Sequence, residues 1–133
     1  MKASRRSRKR RTRILLVEDH ENTLRVLATA LRNRGHLVTA VGTMRLALEA
    51  IQDGVMDLIV CDIGLPDGDG WQLMEIAQTH HRVAGIAMSG FGSPSDLKRS
   101  AAAGFSTHLV KPFDPDELYT AIGSLMPSAD GTE

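Results

Sequence analysis

Short apolar runs and longer stretches of helical apolar spacing take turns along the chain from residue 13 onward. RILLV (13–17) is rich in branched side chains and reads as a strand. HENTLRVLATALRNRG (20–35) places apolar residues at 24, 27, 28 and 31, one face of a helix, and Gly35 is a natural stop. HLVTAV (36–41) reads as a strand and TMRLALEAIQDG (43–54) as a helix, capped by Thr43 and ended by Gly54. MDLIVC (56–61) is the third strand, and GWQLMEIAQTHH (70–81) the third helix. VAGIAM (83–88) gives a weaker strand. SPSDLKRSAAAG (93–104) carries a Ser cap, a Pro at the first helical position and a closing Gly. STHLV (106–110) is the fifth strand, and DPDELYTAIGSLM (114–126) opens a last helix with an Asp cap followed by Pro.

Five strands alternating with five helices predict an α/β domain, doubly wound, with a parallel sheet covered on both faces. Strands that are continuously apolar suit a sheet buried on both sides. In open sheets of this kind ligands sit at the carboxyl ends of the strands, so the residues there carry the functional signal. Glu18 and Asp19 follow the first strand, Asp62 the third, Ser89 the fourth, and Lys111 with Pro112 the fifth. Three carboxylates, a hydroxyl and an ammonium therefore converge on one edge. Two like charges about 4 Å apart repel by roughly 4 kcal/mol at an effective dielectric near 20, so the cluster calls for a cation. An all-oxygen donor set with few protein ligands suits Mg²⁺, which retains waters and takes phosphate oxygens. A metal, a lysine, a hydroxyl and a carboxylate together can neutralise a phosphoryl group while the carboxylate attacks it.

These stretches, LLVEDH, CDIGLPDGDG, MSG and LVKPF, are met in that order after strands one, three, four and five. The chain from 13 to about 126 resembles a response regulator receiver domain of the CheY-like superfamily. The resemblance implies a flavodoxin-like (βα)5 fold with strand order 2-1-3-4-5. It implies Asp62 as phosphoacceptor, Asp19 as the main Mg²⁺ carboxylate with Glu18 beside it, and Gly64 offering its backbone carbonyl to the metal. Ser89 matches the switch hydroxyl, Lys111 the phosphate-pairing lysine and Pro112 its cis-proline partner. Gly64 and Phe91 flank the phosphate position and are expected to affect how long the phosphate lasts. One position departs from the pattern: His108 stands where Tyr or Phe is usual as a rotameric switch. Whether its ring turns inward, or stays outward and solvated, is open at this level. A histidine titrates near neutral pH, which an aromatic hydrocarbon ring does not.

The implied function is phosphorelay signalling. Asp62 takes a phosphoryl group from a histidine kinase or a histidine phosphotransfer domain, and the face made by the fourth helix, fifth strand and fifth helix switches. That face is also the candidate surface for a homodimer. The domain assists its own phosphotransfer but is not otherwise an enzyme. The wording of DIGLPDGDGWQLM and the basic leader resemble receivers of hybrid sensor kinases, so the chain is read as a stand-alone regulator or as a segment of such a protein. The rival from another class is a pseudo-receiver, a phosphorylation-independent scaffold that binds proteins.

Composition narrows the setting. No apolar run approaches the roughly 18 residues that cross a bilayer, and the single Cys61 excludes an internal disulfide, so the expected location is the cytoplasm. Formal net charge is zero, but eight of the 16 basic residues lie within the first 13 and all 16 acidic residues follow them. Residues 1–12 are expected to be a basic disordered leader or linker, 13–127 the domain, and 128–133 a flexible tail. The basic run lacks aromatics to stack on bases, and no nucleic-acid-binding domain is expected. DGDG (67–70) resembles the start of a calcium loop, but Trp71 and Gln78 stand where further ligands would be needed, so it reads as a turn launching the third helix. A second Asp two residues after the acceptor, as in haloacid-dehalogenase-type phosphatases, is absent because that residue is Gly64. His80 and His81 read as exposed at a helix end, and Trp71 and the Met residues as packing.

Overall fold

The computed structural model describes residues 11–126. Most of the expected leader (1–12) and the whole of the expected tail (128–133) lie outside the described residues. Five parallel strands form the sheet: β1 (Arg13–Val17), β2 (Leu37–Val41), β3 (Leu58–Asp62), β4 (Ala84–Ser89) and β5 (Thr107–Val110). Their spatial order is β2-β1-β3-β4-β5. The helices between and after them are α1 (Glu21–Asn33), α2 (Met44–Asp53), α3 (Gly70–His80), α4 (Pro94–Ala103) and α5 (Pro115–Leu125). The sequence thus folds as the α/β, flavodoxin-like arrangement that its alternation predicts.

Period-two alternation divides each strand between two cores. Leu15, Val17, Ile59, Cys61 and Ala87 point to one face, where α2, α3 and α4 supply Met44, Ala47, Ile51, Leu73, Met74 and Ala103. Ile14, Leu16, Leu58, Val60, Ile86 and Met88 point to the other, against Leu27, Ala28 and Leu31 of α1 and Leu118, Ala121 and Ile122 of α5. Every residue of β3 is buried because β3 lies at the middle of the sheet with helices on both sides. Full burial of a large aliphatic side chain contributes about 1.5–3 kcal/mol, so the central strands hold the carboxyl edge firmly in place. The edge strand β2 is more open than its apolar sequence implied, with two of its five residues exposed.

The helix ends follow the sequence signals. Thr43, Asp69 and Ser93 cap α2, α3 and α4 through their side chains, and Asp114 with Glu117 forms a full capping box on α5. Gly104 ends α4 at φ 114°, a left-handed conformation that favours glycine. Two boundaries differ in a way that matters. Asp62 and Ser89 are the last residues of β3 and β4 rather than the first beyond them, because Asp62 pairs in register with Met88 and Ser89 with Val110. Their backbones are therefore fixed by the ladder itself.

Between β3 and α3 the chain makes a two-residue antiparallel ribbon, Gly64–Leu65 against Gly68–Asp69, which is the turn expected from DGDG. Asp67 at its tip accepts from the Met44 N–H (2.8 Å) and the Arg45 N–H (3.0 Å), tying the ribbon to the start of α2. Gly70 then passes close to the strand end: its N–H donates to the Ile63 carbonyl at 2.7 Å, and a Cβ there would lie 2.7 Å from the Asp62 carbonyl oxygen. Backbone cannot yield as a side-chain tip can. Gly70→Ala is expected to destabilise the domain by about 1–3 kcal/mol, read as a lower urea midpoint with an unchanged slope. A midpoint equal to that of the native chain would show that the ribbon is free to move away.

Candidate functional site

The carboxyl edge of the sheet gathers its polar groups from four strands. The Glu18 N–H continues the β1 ladder by donating to the Val41 carbonyl at 3.1 Å. Its side chain is fully buried, and an isolated carboxylate there would be very unfavourable. It is satisfied on both oxygens: Oε1 accepts from Lys111 Nζ at 2.7 Å, and Oε2 from the His20 N–H at 3.1 Å, with His20 Nδ1 also 3.1 Å away. Asp62, 7% exposed, receives the same ammonium on Oδ2 at 3.0 Å. Asp19 is more exposed and lies beside them, with Oδ1 3.5 Å from His20 Nδ1. Lys111 is anchored by its own N–H donating to the Ser89 carbonyl at 2.7 Å, and the Lys111–Pro112 peptide is cis.

One ammonium serves two carboxylates and not equally. Burial pushes the Glu18 carboxyl up, but the bonds from Lys111 and His20 outweigh it and hold the group below its usual range. Burial also raises Asp62; Lys111 pulls it back, while the charges of Glu18 and Asp19 push it up again, and the net result is upward. Burial lowers Lys111, yet its two carboxylate partners more than compensate, so it is held above the usual lysine range. Asp62 is thus the carboxylate of this pair whose charge is less well compensated. Next to it the buried Cys61 thiol donates to the Asp62 carbonyl at 3.1 Å and is pushed far up, by burial first and by the surrounding carboxylates after it.

Ligand atoms of Glu18, Asp19, His20 and Asp62 all lie within 4.8 Å of one another. Hard carboxylate oxygens dominate this donor set, which fits a small divalent cation retaining its own waters. Gly64 stands two residues beyond Asp62, exposed at the start of the ribbon. Ser89 is buried at the end of β4, where its hydroxyl donates to the Phe91 carbonyl (2.5 Å) and accepts from the Phe91 N–H (3.1 Å). His108 is turned inward, not outward: its Nε2 lies 2.9 Å from Ser89 Oγ and 3.1 Å from the Phe91 carbonyl oxygen.

The sequence reading missed His20, although its place directly after the acidic pair was a visible signal. It missed the bond of Asp67 to α2, which no local pattern announces. His81 was expected to be exposed, but it is half-buried with Nε2 3.1 Å from the Met56 carbonyl oxygen. Trp71 is more than packing: its indole N–H donates to Ser100 Oγ at 2.9 Å, and Arg99 lies over its ring at 4.5 Å.

The family model described as the response regulator receiver domain matches residues 14–123. Among curated proteins, the chain is 32% identical over 115 residues to the transcriptional regulatory protein BasR of Escherichia coli, covering 86% of this chain and 52% of that one. It is 36% identical over 107 residues to the KDP operon transcriptional regulatory protein KdpE of the same species, covering 80% and 48%. The chain spans about half the length of these relatives. Among solved structures, a CheY-like receiver domain protein of Methanospirillum hungatei superposes with TM-score 0.82 at 28% identity, covering 86% of this chain and 93% of that one. A two-component response regulator from Clostridium difficile, at TM-score 0.83 and 22% identity over 87% and 96%, shares the fold.

The charge imbalance has a measurable consequence. A carboxyl raised on folding binds protons more tightly in the folded state, so its contribution to stability is present at low pH. That contribution is lost as pH rises from the unfolded value through the raised folded one. At neutral pH and without divalent cations, Asp62→Asn is expected to raise the melting temperature by about 3 °C, on the order of 1 kcal/mol. A fall in melting temperature would show that the Lys111 ion pair outweighs the repulsion.

Proposed function

The chain belongs to the response regulator receiver domain family, and from that premise we propose that it accepts a phosphoryl group on Asp62 in a Mg²⁺-dependent phosphorelay. Receiver domains are signalling domains that work with histidine kinases and phosphotransfer proteins. The observation that carries the reading here is that Asp62 and Glu18 share a single ammonium, Lys111, while the Asp19 carboxylate lies in the same cluster. A cluster so short of positive charge calls for a divalent cation, which would also offset the negative charge that a transferred phosphoryl group brings.

A phosphohistidine on a kinase or phosphotransfer domain is the donor. An Asp62 oxygen attacks phosphorus in line, the P–O bond forms as the P–N bond breaks, and the donor imidazole leaves with the electron pair. Lys111 shifts from Asp62 Oδ2 towards a phosphoryl oxygen, a move that the ammonium makes without leaving Glu18. Glu18, Asp19, Asp62 and the Gly64 carbonyl are the groups that would hold Mg²⁺, which when bound supplies positive charge for the equatorial oxygens. Ser89 donates its hydroxyl to one of those oxygens and gives up the Phe91 carbonyl. Its loop, with α4, β5 and α5, is the surface that responds, and the exposed apolar Phe91, Leu97 and Val110 lie there. That surface suits an output partner or a second copy. The whole chain is read as a cytoplasmic regulator or as the receiver segment of a hybrid kinase, with the basic leader outside the domain.

The scaffold reading is weaker on one count. A scaffold has no use for Glu18 and Asp62 buried together, since replacing a buried ionic cluster by apolar groups is often neutral or stabilising.

Intact mass after treatment with acetyl phosphate and Mg²⁺ should rise by one phosphoryl group in the native chain and stay unchanged in Asp62→Asn. Equal labelling of the two would move the acceptor elsewhere. Asp19→Ala should lose the Mg²⁺-induced amide shifts at residues 62–64, and normal shifts in that variant would take the metal away from this pocket.

A further inference from the structure

A chain of hydrogen bonds runs from the acceptor loop to Ser89 through residues that the phosphotransfer scheme does not use. Trp71, at the start of α3, donates its indole N–H to Ser100 Oγ at 2.9 Å. Ser100 lies in the second turn of α4, 1% exposed, and its Oγ is 2.8 Å from His108 Nδ1. His108 Nε2 then reaches Ser89 Oγ and the Phe91 carbonyl. The backbone of Trp71 is fixed to the acceptor strand by Gly70, whose close approach to Asp62 was described above.

The direction of each bond follows from the hydrogens available. An indole N–H only donates, so Ser100 Oγ accepts there. The buried Ser100 hydroxyl has one hydrogen, and the acceptor in reach of it is His108 Nδ1. That nitrogen must then be bare, and the neutral ring carries its proton on Nε2. The Nε2–H has two acceptors, Ser89 Oγ at 2.9 Å and the Phe91 carbonyl at 3.1 Å. When the Ser89 hydroxyl turns away, the Nε2–H keeps the carbonyl, and the carbonyl loses one donor but keeps another. The ring has no reason to move.

We propose that Ser100 and Trp71 are positioning residues that lock His108 inward as its Nε2–H tautomer before phosphorylation. Activation then exchanges hydrogen bonds at Ser89 and does not rotate the ring. This rests on the proposed phosphorylation of Asp62 for its second half only; the locked tautomer is a property of the free chain. The moving part becomes the Ser89 hydroxyl, while His108, Ser100, Trp71 and the Phe91 carbonyl that holds Nε2 stay in place. Burial keeps the lock tight, because breaking it would strand the Ser100 hydroxyl or the Trp71 N–H without a partner.

The test is ¹⁵N NMR of histidine-labelled full chain, free and with beryllofluoride and Mg²⁺. The His108 ring nitrogens should show a bare Nδ1 and a protonated Nε2 in both states. Binding of the mimic should move the Ser89 and Phe91 amides and leave the Trp71 indole N–H in place. Ser100→Ala, a favourable change within a helix, should lose the single-tautomer signature and shift the Trp71 indole N–H together. A protonated Nδ1 or a tautomer mixture in the free native chain overturns the lock, as does an unchanged tautomer in Ser100→Ala. A change of tautomer, or an indole N–H that moves with the mimic, overturns the exchange. If amides 62–64 do not respond to beryllofluoride, the acceptor assignment fails, and the free-state tautomer still decides the lock.

Discussion

The arrangement depends on keeping two buried carboxylates, Glu18 and Asp62, at the ends of adjacent strands with one ammonium between them. No apolar packing requires this; the parallel sheet makes it possible. β1 and β3 run side by side in the centre, so their last residues emerge together, and β5 delivers Lys111 from the far side of β4. The long, flexible lysine stem bridges that gap, and a shorter cationic side chain at 111 would not. The deficit left on Asp62 is the usable quantity: it is reduced by whatever positive charge arrives, and a charged ligand can therefore be felt by the strands themselves.

Much of this was legible in the sequence because the signals are local. Caps, Pro at the first helical position and closing glycines mark the helices, and apolar runs mark the strands. The polar residues at strand ends stand out because a buried strand seldom ends on a carboxylate. What was not legible depends on contacts between distant elements. Ser100 sits in an alanine-rich helical stretch, and nothing around it reveals that Trp71 and His108 meet there. Asp67 looks like a turn residue, and its role at α2 lies 23 residues away. The inward setting of His108 needed the positions of three other side chains.

The two ends of the sheet divide the labour. At the amino end, β1 is tied to the neighbouring loop by the Arg13 N–H donating to Asp57 at 2.8 Å, and the Arg32 guanidinium bonds the Val38 carbonyl at 2.9 Å. Those contacts close backbone groups and hold the edge. At the carboxyl end the same strands finish in groups with protons and charge to exchange. Stability and chemistry are thus separated along a strand only five residues long.

Cys61 gives the domain an internal clock. Its thiol is fully buried in the central strand, bonded to the Asp62 carbonyl and strongly disfavoured as thiolate. A thiol so placed reacts with an alkylating reagent only while the sheet is open, since the thiolate is the reactive form. With one cysteine in the chain, the alkylation rate gives a count of the molecules trapped while the strand that carries the acceptor is open. Any ligand that tightens the carboxyl edge slows that count, whatever its own spectroscopic properties.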